Sequence, residues 1–298
     1  MNKNICAPNK YDNKNCTCFS LEQLIEMAKA YNKYLTKSKL HPNKTQTFGN
    51  AGLINIKSDK LYLLTEIKKR FNDICNNDEI CITKQSFMNE IVKEMKDDIN
   101  DNTFRPEGPE KYNEWLSTVD IDNIMYQYEN VYPNFRFFGA VPLDCNDLSF
   151  CSLYKLDFNE LINQGIDNLG VVFNLDRYGE SGSHWVALFI DILNGEIFYC
   201  DSNGRPPLDN TIIKNFEKFY KNKTGKDATY KYNTQAYQQD NSECGIYSCN
   251  FIIRKLAGEE FESIVKNSLG FQEINSCRNS YFRNSPSKYK INPKCDPA

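Results

Sequence analysis

No run of about 18 apolar residues occurs anywhere in the 298-residue chain, so the sequence offers no transmembrane helix. The opening Met1-Asn2-Lys3-Asn4-Ile5-Cys6 lacks the apolar stretch of a signal peptide, and an intracellular, non-secreted protein is expected. An excess of basic charge is also missing. The formal net charge of -3 and a pI near 5.6 argue against a globally basic nucleic-acid binder. There is no internal repeat and no low-complexity segment. Histidine and tryptophan are scarce, at two residues each. The twelve cysteines are the exception to this sparseness. With no secretory route visible they are expected as free thiols rather than a disulfide framework. A chain of this length buries roughly three quarters of its unfolded surface and needs no covalent staple.

The N-terminal third reads as helical. Ser20 caps a helix over Leu21 to Tyr34, with Leu24, Ile25 and Ala28 on one face. Lys57 to Phe71 and Gln85 to Ile99 repeat the helical spacing of apolar residues. The polar stretch from Asp97 to Pro109 carries two prolines and marks a boundary. The expected division is a helical accessory region over 1–105 and a catalytic domain over 106–298. In the second part a helix over Asp120 to Tyr132 precedes strands at Phe135 to Val141, Leu169 to Leu175 and Trp185 to Ile192. Leu193-Asn194-Gly195 signals a hairpin into a strand from Glu196 to Cys200. A helix over Asp209 to Lys223, a strand over Ala228 to Asn233 and a helix over Cys244 to Ala257 follow. Such a mixture implies an α+β class.

Chemistry concentrates in the last 120 residues. A nucleophilic thiol needs a base, the base needs an acid to orient it, and the oxyanion needs a fixed donor. Cys244, His184, Asp201 and Gln238 fill these roles in turn, which reads as a cysteine protease. His41 sits in a turn-like Leu40-His41-Pro42-Asn43 stretch, so His184 is nearly the only imidazole base on offer. Cys244 falls at a predicted helix N-terminus, where the macrodipole stabilises a thiolate. Its backbone N–H supplies one oxyanion donor and the Gln238 amide a second, with adjacent Gln239 as competitor. Gly245 is expected to leave room for a substrate backbone. A structural or metal pair of Cys244 with Cys249 is disfavoured, because five-residue spacing on a helix faces the side chains apart. Papain order fails, since no histidine follows His184, and Ser242-Glu243-Cys244-Gly245 is not the caspase motif. Cys6, Cys16 and Cys18 lack a fourth ligand, and Cys75 and Cys81 read as apolar core positions. No metal and no cofactor are called for.

One check does not close. A two-residue Asn194-Gly195 turn pairs Leu193 with Glu196 and sets Asp201 opposite Leu188, four residues from His184. A bulge or longer turn is required to join the two side chains.

The text His184-Trp185-Val186-Ala187-Leu188, Tyr199-Cys200-Asp201-Ser202 and Gln238-Gln239-Asp240-Asn241-Ser242-Glu243-Cys244-Gly245 resembles the adenovirus-type and ubiquitin-like-protein-specific cysteine proteases. Gly182 to Phe189 and Trp115 to Ile121 further resemble the virion-maturation proteases of large cytoplasmic DNA viruses. The likeness covers roughly 103 to 283, with a looser match at Thr17 to Leu21. It implies a papain-like core in permuted order, with a central mixed sheet flanked by helices and an N-terminal helical region. It implies Trp115 and Trp185 as substrate-binding residues over the substrate's C-terminal glycines, which excludes larger side chains. The partner is then a protein substrate with a Gly-Gly-like cleavage site, such as a viral structural polyprotein, handled in the virion and host cytoplasm. A deconjugating isopeptidase for ubiquitin-like proteins and an acyltransferase on the same fold are the alternatives. A basic tail between Ile274 and Cys295, with Arg278, Arg283, Lys288, Lys290 and Lys294, offers a nucleic-acid contact or docks on its own acidic domain.

Overall fold

The computed structural model describes residues 5–10, 17–40, 52–284 and 287–297. His41 and Cys16 lie outside them. The chain divides into two compact units, Met1–Arg105 and Pro106–Ala298.

The first unit is helical. Helix α1, Leu21–Leu40, opens on a reciprocal cap. Ser20 Oγ accepts from Gln23 N at 3.1 Å, and Gln23 Oε1 accepts from Ser20 N at 2.9 Å. Helix α2, Lys60–Cys75, starts later than Lys57 because Asp59 caps it through Tyr62 N at 2.9 Å. Helix α3, Glu79–Thr83, follows. The single helix expected over 85–99 is two pieces, a 3-10 turn Ser86–Glu90 and helix α4, Lys93–Asn102. Between them Ile91 and Val92 are extended, with ψ of 144° and 148°, a conformation that suits β-branched residues. Phe71, Phe87 and Tyr31 meet in the core of this unit.

The second unit is built on a five-stranded sheet. Helix α5, Thr118–Val131, opens on a Ser117/Asp120 capping box. Then come β1 (Phe135–Pro142), α6 (Phe158–Asn163), β2 (Asn168–Asn174), β3 (Trp185–Asp191), β4 (Glu196–Cys200), α7 (Thr211–Thr224), β5 (Thr229–Tyr232) and α8 (Cys244–Leu256). Three short helices close the unit: α9 (Phe261–Lys266), α10 (Phe271–Ser276) and α11 (Arg278–Tyr281). Strand order is β1-β2-β3-β4-β5, with β1/β2 and β4/β5 parallel and the central pairs antiparallel. The period-two alternation of β3 serves two cores. Trp185, Ala187 and Phe189 face α5 and α8, while Val186, Leu188 and Ile190 face α6 and α7.

The expected two-residue hairpin is not formed. Asp191 pairs with Glu196, which leaves a four-residue loop from Ile192 to Gly195. Ile192 is drawn into the core, and Asp191 Oδ1 and Oδ2 accept from Asn194 N and Nδ2 at 2.9 and 2.8 Å. Gly195 has φ +68°, and a Cβ there would fall 2.3 Å from the Tyr220 ring. Continuing this register past β4 aims Asp201 at Val186, two residues from His184 rather than four.

The expectation of free thiols is overturned. Disulfides join Cys6–Cys18, Cys75–Cys81, Cys145–Cys151 and Cys277–Cys295, at separations of 12, 6, 6 and 18 residues. Each lies within one unit. Among the described residues Cys200, Cys244 and Cys249 are free. The C-terminal stretch is also not a loose basic tail. Its 3-10 turn Pro293–Cys295 is bonded back to Cys277, the residue before α11, and Arg278 is buried. Arg283 pairs with Glu107 at 3.2 Å, which leaves Lys288 and Lys290 as its exposed cations. Among the described residues no helix is long and apolar enough to cross a membrane.

Candidate active site

His184 stands immediately before β3 and Asp201 immediately after β4. Because these strands are antiparallel, the start of one lies beside the end of the other. His184 is held by its carbonyl, which accepts from Leu175 N at 2.9 Å. Asp201 is wholly buried, and its Oδ1 lies 2.5 Å from His184 Nε2. The same oxygen accepts from Asn203 N at 2.8 Å, and Oδ2 accepts from Arg205 N at 3.3 Å. Asn233 brackets the Asp201 backbone. Its Oδ1 accepts from Asp201 N at 2.8 Å and its Nδ2 donates to Asp201 O at 2.6 Å.

Cys244 is the first residue of α8 and is 2 % exposed. The helix is seated by Ile246, Cys249, Phe251 and Ile252, which pack on the sheet face that carries Trp185 and Ala187. Unpaired amides at its N-terminus favour negative charge at Cys244. The Cys244 thiol acts electrostatically on the His184 ring. Burial works against an imidazolium here, but the hydrogen bonds and charges of Asp201 and Cys244 outweigh it and raise the His184 pKa to about 9. The other two free thiols among the described residues are buried. Burial raises Cys200 to about 12 and lifts Cys249 further, so both stay protonated and unreactive near neutrality. Among the described residues no cluster of His, Cys, Asp and Glu is placed to hold a metal.

Gln238 reaches the same corner. Its Oε1 accepts from Ser202 Oγ at 2.5 Å and its Nε2 donates to Asp240 O at 2.5 Å, while Gln239 is exposed. A carboxamide carries two N–H donors, so the contact with Asp240 engages one of them. Two expectations change. Gly245 does not open space for substrate, because a Cβ there would meet Leu116 Cβ at 3.0 Å. The glycine instead lets the Trp115-Leu116 segment approach the helix. The two tryptophans also part company. Trp185 is packed in the core, and its indole N–H donates to Leu116 O at 2.9 Å. Trp115 is 45 % exposed. A lid formed from both rings is therefore replaced by one exposed ring on a segment that the other ring anchors.

Sequence reasoning missed Asn233 and Asn203. The chain is rich in asparagine, and nothing in its spacing separates these from surface residues.

Residues 164–285 match the profile of the Ulp1 protease family, C-terminal catalytic domain. A protein named as a thiol protease in Acanthamoeba polyphaga mimivirus is 61% identical over 297 residues, covering 99% of this chain and 98% of that relative. The SUMO-1 cysteine protease of African swine fever virus is 23% identical over 197 residues, 60% of this chain and 72% of its own. A crystal structure of the African swine fever virus protease superposes with a TM-score of 0.58 at 17% identity, covering 94% of this chain and 96% of that one. At that identity the superposition speaks to the fold: a mixed five-stranded sheet with helices, together with a helical N-terminal region. Matched over nearly its whole length to a viral thiol protease, the chain belongs to the Ulp1 family of cysteine proteases.

Proposed function

We propose that this protease is an endopeptidase in which Cys244 attacks the scissile carbonyl and His184 moves the proton. Asp201 holds the ring in one tautomer and stabilises its charged form. The carrying observation is the His184 ring, 2.5 Å from Asp201 Oδ1 and held in its charged form by both Asp201 and Cys244. Attack forms the S–C bond and places negative charge on the carbonyl oxygen. The Cys244 N–H and the second Gln238 N–H are the donors assigned to that charge. Collapse expels the amine, which takes a proton from His184, and water then releases the acid from the thioester.

The exposed Trp115 ring beside this corner supports a narrow approach that admits glycine on the acyl side. We accordingly assign cleavage after Gly-Gly-like sites, and structural polyproteins of a maturing virion in the host cytoplasm as the substrate. Residues 1–105 carry no group assigned to the chemistry and serve as an accessory region. A second reading, deconjugation of a ubiquitin-like protein, is favoured by the name of the African swine fever virus relative. The test pairs Gly-Gly-Xaa peptides with an isopeptide-linked Gly-Gly-lysine substrate, with Cys244→Ala as control. Turnover of the linear peptide supports the endopeptidase. Turnover confined to the isopeptide selects the second reading, and cleavage by Cys244→Ala excludes both.

A further inference from the structure

We propose that Arg278 is a positioning residue that ties the Trp115 segment to the loop before Cys244 and so sets the width of the cleft. The idea rests on the assignment of glycine-directed cleavage above and adds a determinant of it.

Arg278 is 1 % exposed, in a stretch whose basic residues were expected at the surface. Its Nη2 donates to Glu114 O at 2.7 Å and to Ser242 O at 3.2 Å. Glu114 directly precedes exposed Trp115, and Ser242 lies two residues before Cys244. One nitrogen thus bridges the backbones of two segments that border the candidate active site. Its Nε donates to Asn275 Oδ1 at 3.2 Å. Asn275 Nδ2 in turn donates to Glu243 Oε1 at 3.3 Å, an oxygen that also accepts from Ser242 Oγ at 2.5 Å. Burial lowers the Arg278 pKa to about 10, and Glu243 leads the acids that offset this. A buried cation is costly, and an apolar side chain of similar size would fill the volume. What methionine lacks is donors, and what lysine lacks is a planar fork that reaches separate acceptors in fixed directions. The fork is itself anchored. Cys277 is bonded to Cys295, and Asn250 Nδ2 on α8 donates to Tyr281 Oη at 3.1 Å and to Lys294 O at 2.8 Å.

The experiment compares Arg278→Met and Arg278→Lys in the full chain with wild type. Four quantities are read: thermal unfolding, iodoacetamide alkylation of Cys244, kinetics on Gly-Gly-Xaa and Val-Gly-Xaa peptides, and acrylamide quenching of tryptophan emission. Trp185 is buried, so quenching reports chiefly on Trp115. For Arg278→Met we expect KM to rise about tenfold, the preference for Gly-Gly to narrow about tenfold and quenching to increase, with alkylation within about twofold of wild type. Arg278→Lys should recover stability but not the preference. The proposal is overturned if a folded Arg278→Met keeps the wild-type preference and quenching. It is equally overturned if alkylation falls in step with turnover, since that marks a brace of the fold alone. Should Arg278→Met fail to fold, Asn275→Ala takes its place, with a narrowing of about threefold expected and an unchanged preference fatal to the idea. If wild type cleaves neither peptide, the cleavage assignment fails, and quenching still decides the role of Arg278.

Discussion

In the N-terminal unit the Glu79 carboxylate is buried beneath a hydroxyl, a backbone amide and a fixed cation. Its Oε2 accepts from Thr17 Oγ1 at 2.9 Å and Cys18 N at 3.2 Å, and its Oε1 lies 2.8 Å from Lys68 Nζ. In the C-terminal unit the Asp201 carboxylate is equally enclosed and also accepts backbone amides, but its remaining partner is the His184 ring. The first carboxylate pins the segment around Cys18 to α3 through a hydroxyl, a backbone amide and a lysine. The second has a partner that gains and loses a proton within the working range of a protein. The same burial and nearly the same donor count thus serve a fastener in one unit and a proton control in the other. The identity of a single partner makes the difference.

The comparison is broken most severely at the thiol. Cys244→Ala and His184→Ala should each reduce peptide turnover roughly 10⁴-fold or more while leaving the unfolding midpoint near that of wild type. Residual turnover of several per cent in either variant, measured on protein free of wild type, would remove that residue from the chemistry. Gln238→Ala should cost about 10²-fold in kcat, and exposed Gln239→Ala little. The reverse order would shift the oxyanion assignment by one residue.

A pH profile sharpens the contrast between the carboxylates. The folded protein holds the His184 proton to about pH 9, above the ordinary value of 6.5. The associated stability is complete below about 6.5 and is lost as pH rises through 9. The imidazolium is also the acid for the leaving amine, so kcat/KM should decline about tenfold per unit above pH 9. Asp201→Asn should move this alkaline limb downward, and Glu79→Gln should not move it. A limb near pH 7 in wild type would show that Asp201 and Cys244 do not outweigh burial in holding the His184 proton.

Smaller effects are expected in the first unit. Residues 106–298 alone, if soluble, should still be alkylated at Cys244, and a folded but unreactive fragment would show that residues 1–105 help to build the site. Glu79→Gln should lower stability by about 2 kcal/mol, the scale of disrupting a buried hydrogen-bonded pair. Turnover per folded molecule should stay at the wild-type value, as measured by active-site titration below the unfolding transition.

Where local pattern decided the outcome, the sequence was readable. Glu196–Cys200 falls where the preceding turn signal puts it, and the cap at Ser20 needs only nearest neighbours. The order His184, Asp201, Gln238, Cys244 carried the family because a reaction fixes residue types at a point in space. Long-range packing decided most of the rest. Ile192 entering the core lengthened the hairpin, and extended Ile91 and Val92 split a helix whose apolar spacing was continuous. Pairing of Cys277 with Cys295 folded a stretch that reads as a basic tail, and took Arg278 from surface to interior. The burial of Ile192 and the Cys277–Cys295 pair depend on partners that periodicity within a window cannot register, whereas the break at Ile91 and Val92 is a local backbone preference.

Asn233 gives the bracketing of Asp201 a wider meaning. β5 ends at Tyr232, and the next side chain offers the same donor and acceptor pair as a peptide group. The amide of Asn233 therefore acts as a false rung, prolonging the ladder one step beyond its last true strand residue. Asp201 lies outside regular structure, yet its main chain is registered against the sheet on both its N–H and its C=O. A carboxylate in that place cannot slide along the strand axis without breaking two bonds at once. Aspartate at 233 would lose the donor and threonine the reach, so a carboxamide is the side chain that this step of the ladder requires.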